Sequence, residues 1–222
     1  METIVENLIS NDVVITKNFL NDSECRSLVK KIDRSLKRFE WNLDTEHYAV
    51  NTESNFLKCY GEYLNDEFEV WCNPFVARIL NFTERFRKKI QEQYNYTLYL
   101  TDLFFTLNEF NQSSSVHAHR NNSLDLDAAH WNLSFAFYPF APEDIPQFFI
   151  LEEYVGGLRF HKQYTLETGD LFIFPSWMHH YTSRNLSQKT KYCLAGNFIS
   201  FPSDIQVTPD NFEELCKGSY LI

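Results

Sequence analysis

Hydrophobic and polar positions along the chain change period once. Early on, Cys25, Leu28, Val29, Ile32 and Leu36 fall at the three-and-four spacing of one helix face. Asn21, Asp22 and Ser23, just ahead of them, are all capable N-caps. The pattern predicts an amphipathic helix, preceded by a short strand at Val13 to Ile15. A second helix is predicted to start at Asn73-Pro74, because proline tolerates the first helical position. Phe75, Val76, Ile79, Leu80, Phe82 and Phe86 supply its buried side, and Arg87, Lys88 and Lys89 its wet end.

From Thr97 the helical period gives way to aromatic and β-branched runs. Leu103 to Leu107, Trp131 to Tyr138, Leu158 to Phe160, Leu171 to Phe174 and Tyr192 to Ile199 read as strands. Gly156-Gly157 and Gly169-Asp170 are the clearest turn signals between them. Stretches 121–129 and 141–153 read as loop insertions, where substrate choice is commonly set. With no composition break, the expectation is one α+β domain: a helical part over 1–96 and a β-sandwich or barrel over 97–202.

Composition narrows the function classes. The 222 residues carry 20 Lys and Arg against 30 Asp and Glu, a net charge of −10, which disfavours nucleic acid and anionic membranes as partners. No run is long and apolar enough to span a bilayer. Met1 to Ile9 carries Glu2 and Glu6 and lacks the layout of a signal peptide. The five cysteines are scattered, odd in number and without a close pair, so reduced thiols in a cytoplasmic setting are expected. Aromatic residues make up 17 % of the chain, which makes any single one, such as Tyr138 or Trp177, a core residue before it is a site residue.

The chemistry concentrates in the histidines. Six of seven lie between His117 and His180, with His47 apart. His117-Ala118-His119 places two imidazoles at i and i+2, which on extended backbone share one face and can chelate a metal. His179 and His180 close the run Gly169 to Met178, so one of them can turn inward as a third ligand. His130 and His161 read as hydrogen-bonded structural residues.

Four segments, in order, resemble the iron(II)- and 2-oxoglutarate-dependent dioxygenases, and within them the prolyl-4-hydroxylase-like branch. Val14 to Ile32, with Phe19-Leu20 and Asp22-Ser23-Glu24-Cys25, looks like the opening strand and helix of that family. His117-Ala118-His119 stands where the family has its His-x-Asp iron pair. Gly156-Gly157-Leu158-Arg159-Phe160 resembles the GGxLxF segment, and Gly169 to Ser176 with His180 is similar to the GDLxxFPS…H segment carrying the distal ligand. The resemblance implies a double-stranded β-helix (jelly-roll, cupin-like) core with N-terminal helices packed on it. It implies Fe(II) on His117, His119 and His180, with His180 preferred over His179. It implies 2-oxoglutarate and dioxygen as co-substrates, and hydroxylation of a small molecule or peptide, such as a prolyl or other amino-acid side chain.

Two positions depart from the family pattern. Residue 119 is His where a carboxylate is usual, with Asp125 and Asp127 as alternative carboxylates nearby. Lys191, with Lys189 second, stands where Arg usually grips the far carboxylate of 2-oxoglutarate, and Lys lacks the bidentate fork of Arg. Asn197, on the strand face of Lys191, and Asn108, on an earlier strand, are further pocket candidates. These departures leave two rival classes open: a non-catalytic binding module on the same barrel, and a three-histidine cupin-type metalloenzyme that uses no 2-oxo acid.

Overall fold

The computed structural model describes residues 2–7, 12–38, 55–58, 66–119, 132–155 and 158–207. His47, Asp125, Asp127, His130, Trp131, Gly156-Gly157 and the 121–129 stretch lie outside them. The chain opens with a hairpin, β1 (Glu2–Asn7) and β2 (Asp12–Lys17), then α1 (Asp22–Arg38), β3 (Asn55–Lys58) and α2 (Asp66–Tyr94). The remainder is β: β4 (Tyr96–Asn108), β5 (Leu133–Phe140), β6 (Gln147–Val155), β7 (Leu158–Leu166), β8 (Leu171–Pro175), β9 (His179–Thr182) and β10 (Lys191–Pro202).

Helix α1 starts as its cap residues dictate. Asn21 Oδ1 accepts the amides of Ser23 (2.9 Å) and Glu24 (3.0 Å), and the Glu24 carboxylate returns a bond to the Asn21 amide at 2.8 Å. Helix α2 corrects the reading from sequence. It begins at Asp66, eight residues before Pro74, so the proline lies inside the helix instead of opening it. Asn95 ends it in the left-handed region (φ 58°), its amide bonding the Gln91 carbonyl at 3.0 Å.

The strands form two sheets among the described residues, ordered β1-β2-β8-β5-β10-β4-β3 and β7-β6-β9, with antiparallel pairing throughout. Alternation along the central strands of the large sheet feeds two cores. Phe135 and Phe137, Leu171 and Ile173, and Leu194 and Phe198 point to one side, where Leu28 and Ile32 of α1 and Phe75, Ile79 and Ile90 of α2 cover them. Ala136 and Tyr138, Phe172 and Phe174, and Cys193 and Ala195 point to the other, packing on Phe149, Leu151, Tyr164 and Leu166 of the small sheet. Strands buried on both faces read as continuous apolar runs, which is why the sequence exposed them. This is the jelly-roll core with helices on one side that the sequence led us to expect.

Strand β6 was missed: 147–153 belongs to it and not to a loop. The expected strand at Val13 to Ile15 lies within β2, which pairs with β8 in the large sheet, and β3, not foreseen, pairs there with β4.

The turn into β8 depends on Gly169. Its φ is +90°, and a Cβ there would sit 2.9 Å from the Leu20 carbonyl oxygen. Its carbonyl accepts the Phe19 amide at 2.8 Å, tying the turn to the entrance of α1. Gly169→Ala is expected to cost at least about 1 kcal/mol, because the residue can neither leave the positive-φ region nor fit its methyl. Urea denaturation of the variant checks this, with a midpoint unchanged from wild type as the contrary result.

Candidate metal centre

His117, His119 and His180 are far apart in sequence and meet because backbone bonds pin their segments together. The His117 amide bonds the His180 carbonyl at 3.1 Å and the His180 amide returns the bond at 2.8 Å, an isolated antiparallel bridge. The His119 amide bonds the Ser176 carbonyl at 2.8 Å, so both imidazoles of the pair hang over the Pro175 to His180 turn. One nitrogen from each of the three rings lies within 4.8 Å of the others, close enough for one ion. Ring centroids are 4.3 Å apart for His117 and His180, 5.0 Å for His119 and His180, and 5.2 Å for His117 and His119.

Backbone carbonyls fix two of the rings. Nδ1 of His117 lies 2.7 Å from the Ser115 oxygen and Nδ1 of His180 lies 3.0 Å from the Met178 oxygen. Nδ1 must carry the proton to donate there, which leaves the Nε2 lone pair for a metal. Phe174 (4.6 Å) and Phe149 (6.0 Å) flank His180, and Phe104 (6.1 Å) flanks His119. Burial in this aromatic wall disfavours the imidazolium form. It holds His117 below its ordinary value, takes His119 down to about 3 and pushes His180 well down, with His117 adding to the effect on His119, and His117 and His119 to that on His180. Three neutral imidazoles at neutral pH are a donor set fit for a divalent first-row metal.

His179, the other candidate for the distal position, falls on the opposite face of β9, in register with Glu152. His161 is exposed on β7. Asn197, a pocket candidate from sequence, is buried on β10 and bonded to Ser134. The Ser134 hydroxyl donates to its Oδ1 at 2.6 Å and lies 2.9 Å from the Ser176 hydroxyl, tying β10, β5 and the Pro175-Ser176 turn together. Sequence reasoning passed over Glu152. It is 1 % exposed and held by the Arg159 guanidinium, a pairing of strand neighbours that no spacing rule marks.

Lys191 lies fully buried (0 % exposed) at the start of β10, on the interior face that also carries Cys193 and Ala195. Its ammonium donates to Thr182 Oγ1 and to the Ser183 carbonyl, both at 3.0 Å, and meets no carboxylate among the described residues. Desolvation brings its pKa from 10.5 down to about 8. Thr182 stands two residues beyond His180 on the same face of β9, about 7 Å along the strand, so the partner of the buried cation and the imidazole of His180 share one wall. Thr182 was not foreseen, although its spacing from His180 was the available signal. Lys189 is exposed, its backbone bound up in the Asn185 to Lys189 turn. Tyr138 is buried in the same interior, its hydroxyl donating to the Cys193 sulfur, whereas Trp177 is half-buried with its indole N–H buried and without a partner.

No family model matches the chain, and no curated protein matches it in sequence. Solved structures do. The epimerase SnoN, in complex with Fe3+, alpha ketoglutarate and nogalamycin RO, superimposes with a TM-score of 0.62 at 12 % identity, over 89 % of this chain and 85 % of its own. A Trichoplax adhaerens prolyl hydroxylase, in complex with a hypoxia inducible factor oxygen degradation domain peptide fragment, gives 0.60 at 10 % identity, over 84 % and 83 %. A Pseudomonas putida prolyl-4-hydroxylase gives 0.55 at 14 % identity, over 84 % and 91 %. The chain therefore has the fold of the 2-oxoglutarate and Fe(II) oxygenases.

Proposed function

We propose that the protein is a non-haem Fe(II) dioxygenase that couples oxidative decarboxylation of 2-oxoglutarate to succinate with hydroxylation of a substrate C–H bond. The observation that carries this reading is the pairing of a neutral three-imidazole cluster with a buried ammonium, which meets no carboxylate among the described residues, on the same interior wall. A buried cation without an anion is costly, and the cost is removed when an anionic ligand arrives. A 2-oxo dicarboxylate supplies one chelating end for the metal and one carboxylate for Lys191.

Each residue has a definite task under this reading. His117, His119 and His180 hold the iron through nitrogens whose tautomers the Ser115 and Met178 carbonyls help set. Lys191 orients the co-substrate, with Thr182 steering its ammonium. Phe104, Phe149 and Phe174 exclude water around the cluster. Bound there, the iron and 2-oxoglutarate supply the oxidising power for C–H hydroxylation. The substrate is a small molecule or peptide, with a prolyl or other amino-acid side chain as the reacting group. The fold shared with prolyl hydroxylases supports that choice.

The ligand set favours one rival over the rest. It contains no carboxylate among the described residues, as in a three-histidine metalloenzyme that needs no 2-oxo acid. Anaerobic titration with Fe(II), followed by 2-oxoglutarate, separates the two. The proposal expects a visible charge-transfer band that needs both additions and vanishes in His180→Ala. Iron bound at one equivalent without a band on adding 2-oxoglutarate supports the rival. No iron bound at all leaves a binding module.

A further inference from the structure

Asn108 and Lys191 stand directly opposite each other in the β4–β10 ladder. Cross-strand partners in such a register rise from the same face with Cβ atoms about 5 Å apart. That face is the interior one, since Phe104 follows the alternation of Asn108, and Cys193 and Ala195 follow that of Lys191, and all three pack between the sheets. Asn108 is 2 % exposed, and its Nδ2 is buried without a hydrogen-bond partner. Asn185 Nδ2 bonds the Asn108 main-chain carbonyl at 2.9 Å, and Gln147 Nε2 bonds Asn185 Oδ1 at 3.3 Å, yet neither side chain turns to the Asn108 amide. Buried amide donors are seldom left in this state without a use.

We infer that Asn108 is a second binding residue for the distal carboxylate of the 2-oxo acid, its Nδ2 donating to one oxygen while the Lys191 ammonium takes the other. The inference rests on the function proposed above and adds a specificity device to it. A lysine ammonium is a point charge and cannot by itself grip both carboxylate oxygens as a guanidinium does. An amide N–H on the neighbouring strand supplies the missing second point. The same donor gives selectivity, because an acid without the distal carboxylate leaves two buried donors unpaired, and sites built this way reject such analogues strongly.

The test uses Asn108→Leu, close in volume, with Asn108→Ser as a second variant should leucine fail to fold. Three quantities are measured: the melting temperature of the metal-free protein, and the calorimetric dissociation constants of 2-oxoglutarate and of 2-oxovalerate with Fe(II) under anaerobic conditions. 2-Oxovalerate has the same chain without the distal carboxylate. The expected result is a metal-free protein that melts no lower than wild type, binds 2-oxoglutarate at least tenfold more weakly and binds 2-oxovalerate within twofold of wild type. Asn108→Asp, which sets a like charge against the ligand, loses at least a hundredfold. A structural role for Asn108 predicts the reverse pattern: a lower melting temperature and an equal loss for both acids, and either finding overturns the inference. So does 2-oxoglutarate binding unchanged in Asn108→Leu or Asn108→Ser while wild type binds it. Wild type that binds no 2-oxoglutarate in the presence of Fe(II) overturns the functional proposal itself, and this inference with it.

Discussion

Lys191→Met is expected to stabilise the ligand-free protein and to weaken 2-oxoglutarate binding at least a hundredfold. The first half follows from the state of the lysine. It is 0 % exposed, faces no carboxylate among the described residues and has a pKa brought from 10.5 to about 8 by desolvation. At 1.36 kcal/mol for each pH unit, a fall of that size corresponds to a penalty of about 3 kcal/mol on the charged form. Methionine fills a similar volume without the charge, and Thr182 keeps its bond to Ser114 at 3.0 Å. In a chain of this size each kcal/mol is worth about 2–4 °C, so a rise of several degrees is expected after the lost lysine hydrogen bonds are deducted. The second half follows from breaking a buried ion pair with the ligand, worth about 3–5 kcal/mol, or more than two decades in affinity.

The pH dependence gives a second reading of the same residue. Lysine with a folded pKa below its unfolded value binds its proton less readily in the fold, so ligand-free stability rises with pH between about 8 and 10.5. Lys191→Met lacks that rise. Over the same range the binding-competent ammonium is titrated away, and 2-oxoglutarate affinity in wild type falls toward tenfold per pH unit. Differential scanning calorimetry for stability and titration calorimetry for binding check both signs. A variant that melts lower and binds 2-oxoglutarate as wild type does would show Lys191 to be a structural cation with no part in ligand recognition.

How far such residues can be read from sequence depends on what makes them special. His117, His119 and His180 were legible as a cluster because residues able to hold a metal are of few types, and their backbone settings recur: a His-x-His pair, and a strand broken by Pro175-Ser176. Strands β5, β8 and β10 were legible because burial on both faces leaves no polar alternation to confuse them. Strand β6 was lost for the opposite reason. Pro146 stands before it and Glu152 within it, and nothing in sequence says that Arg159, seven residues on, neutralises that glutamate. Pro74 misled because its tolerance of the first turn is a preference, and a helix can carry a proline further in when tertiary packing holds it. The depth of Lys191 was equally hidden. A lysine two residues from another lysine reads as a wet strand end, and only the arrival of β9 and Thr182 over it shows the charge to be sealed in.

Acid is expected to unfold the metal-free protein earlier than its carboxylates would dictate, and the histidine cluster is the reason. A histidine whose folded pKa lies below its unfolded value contributes stability that is whole above about pH 6.5, and for His119 is lost progressively as pH falls toward about 3. Each imidazole kept neutral in the fold while its unfolded counterpart is charged steepens the loss by about 1.4 kcal/mol per pH unit. Three such groups set an upper limit of about 4 kcal/mol per unit, reduced by whatever single proton the coupled cluster takes up as a whole. Asp170 works against this trend, because burial raises its pKa and makes its charged form the costly one as pH rises. The comparison that isolates the histidines is therefore wild type against His119→Leu, in which the Asp170 contribution cancels. Urea unfolding of the metal-free proteins at pH 6.5, 5.5 and 4.5 is expected to show a slope for the variant that is shallower by about 1.4 kcal/mol per unit. Equal slopes would mean that the imidazole of His119 takes up its proton in the fold as readily as in the unfolded chain, and that burial does not keep it neutral. Metal affinity should then fall between pH 7 and 6, as it does for an ordinary exposed histidine, instead of holding until more strongly acid solution.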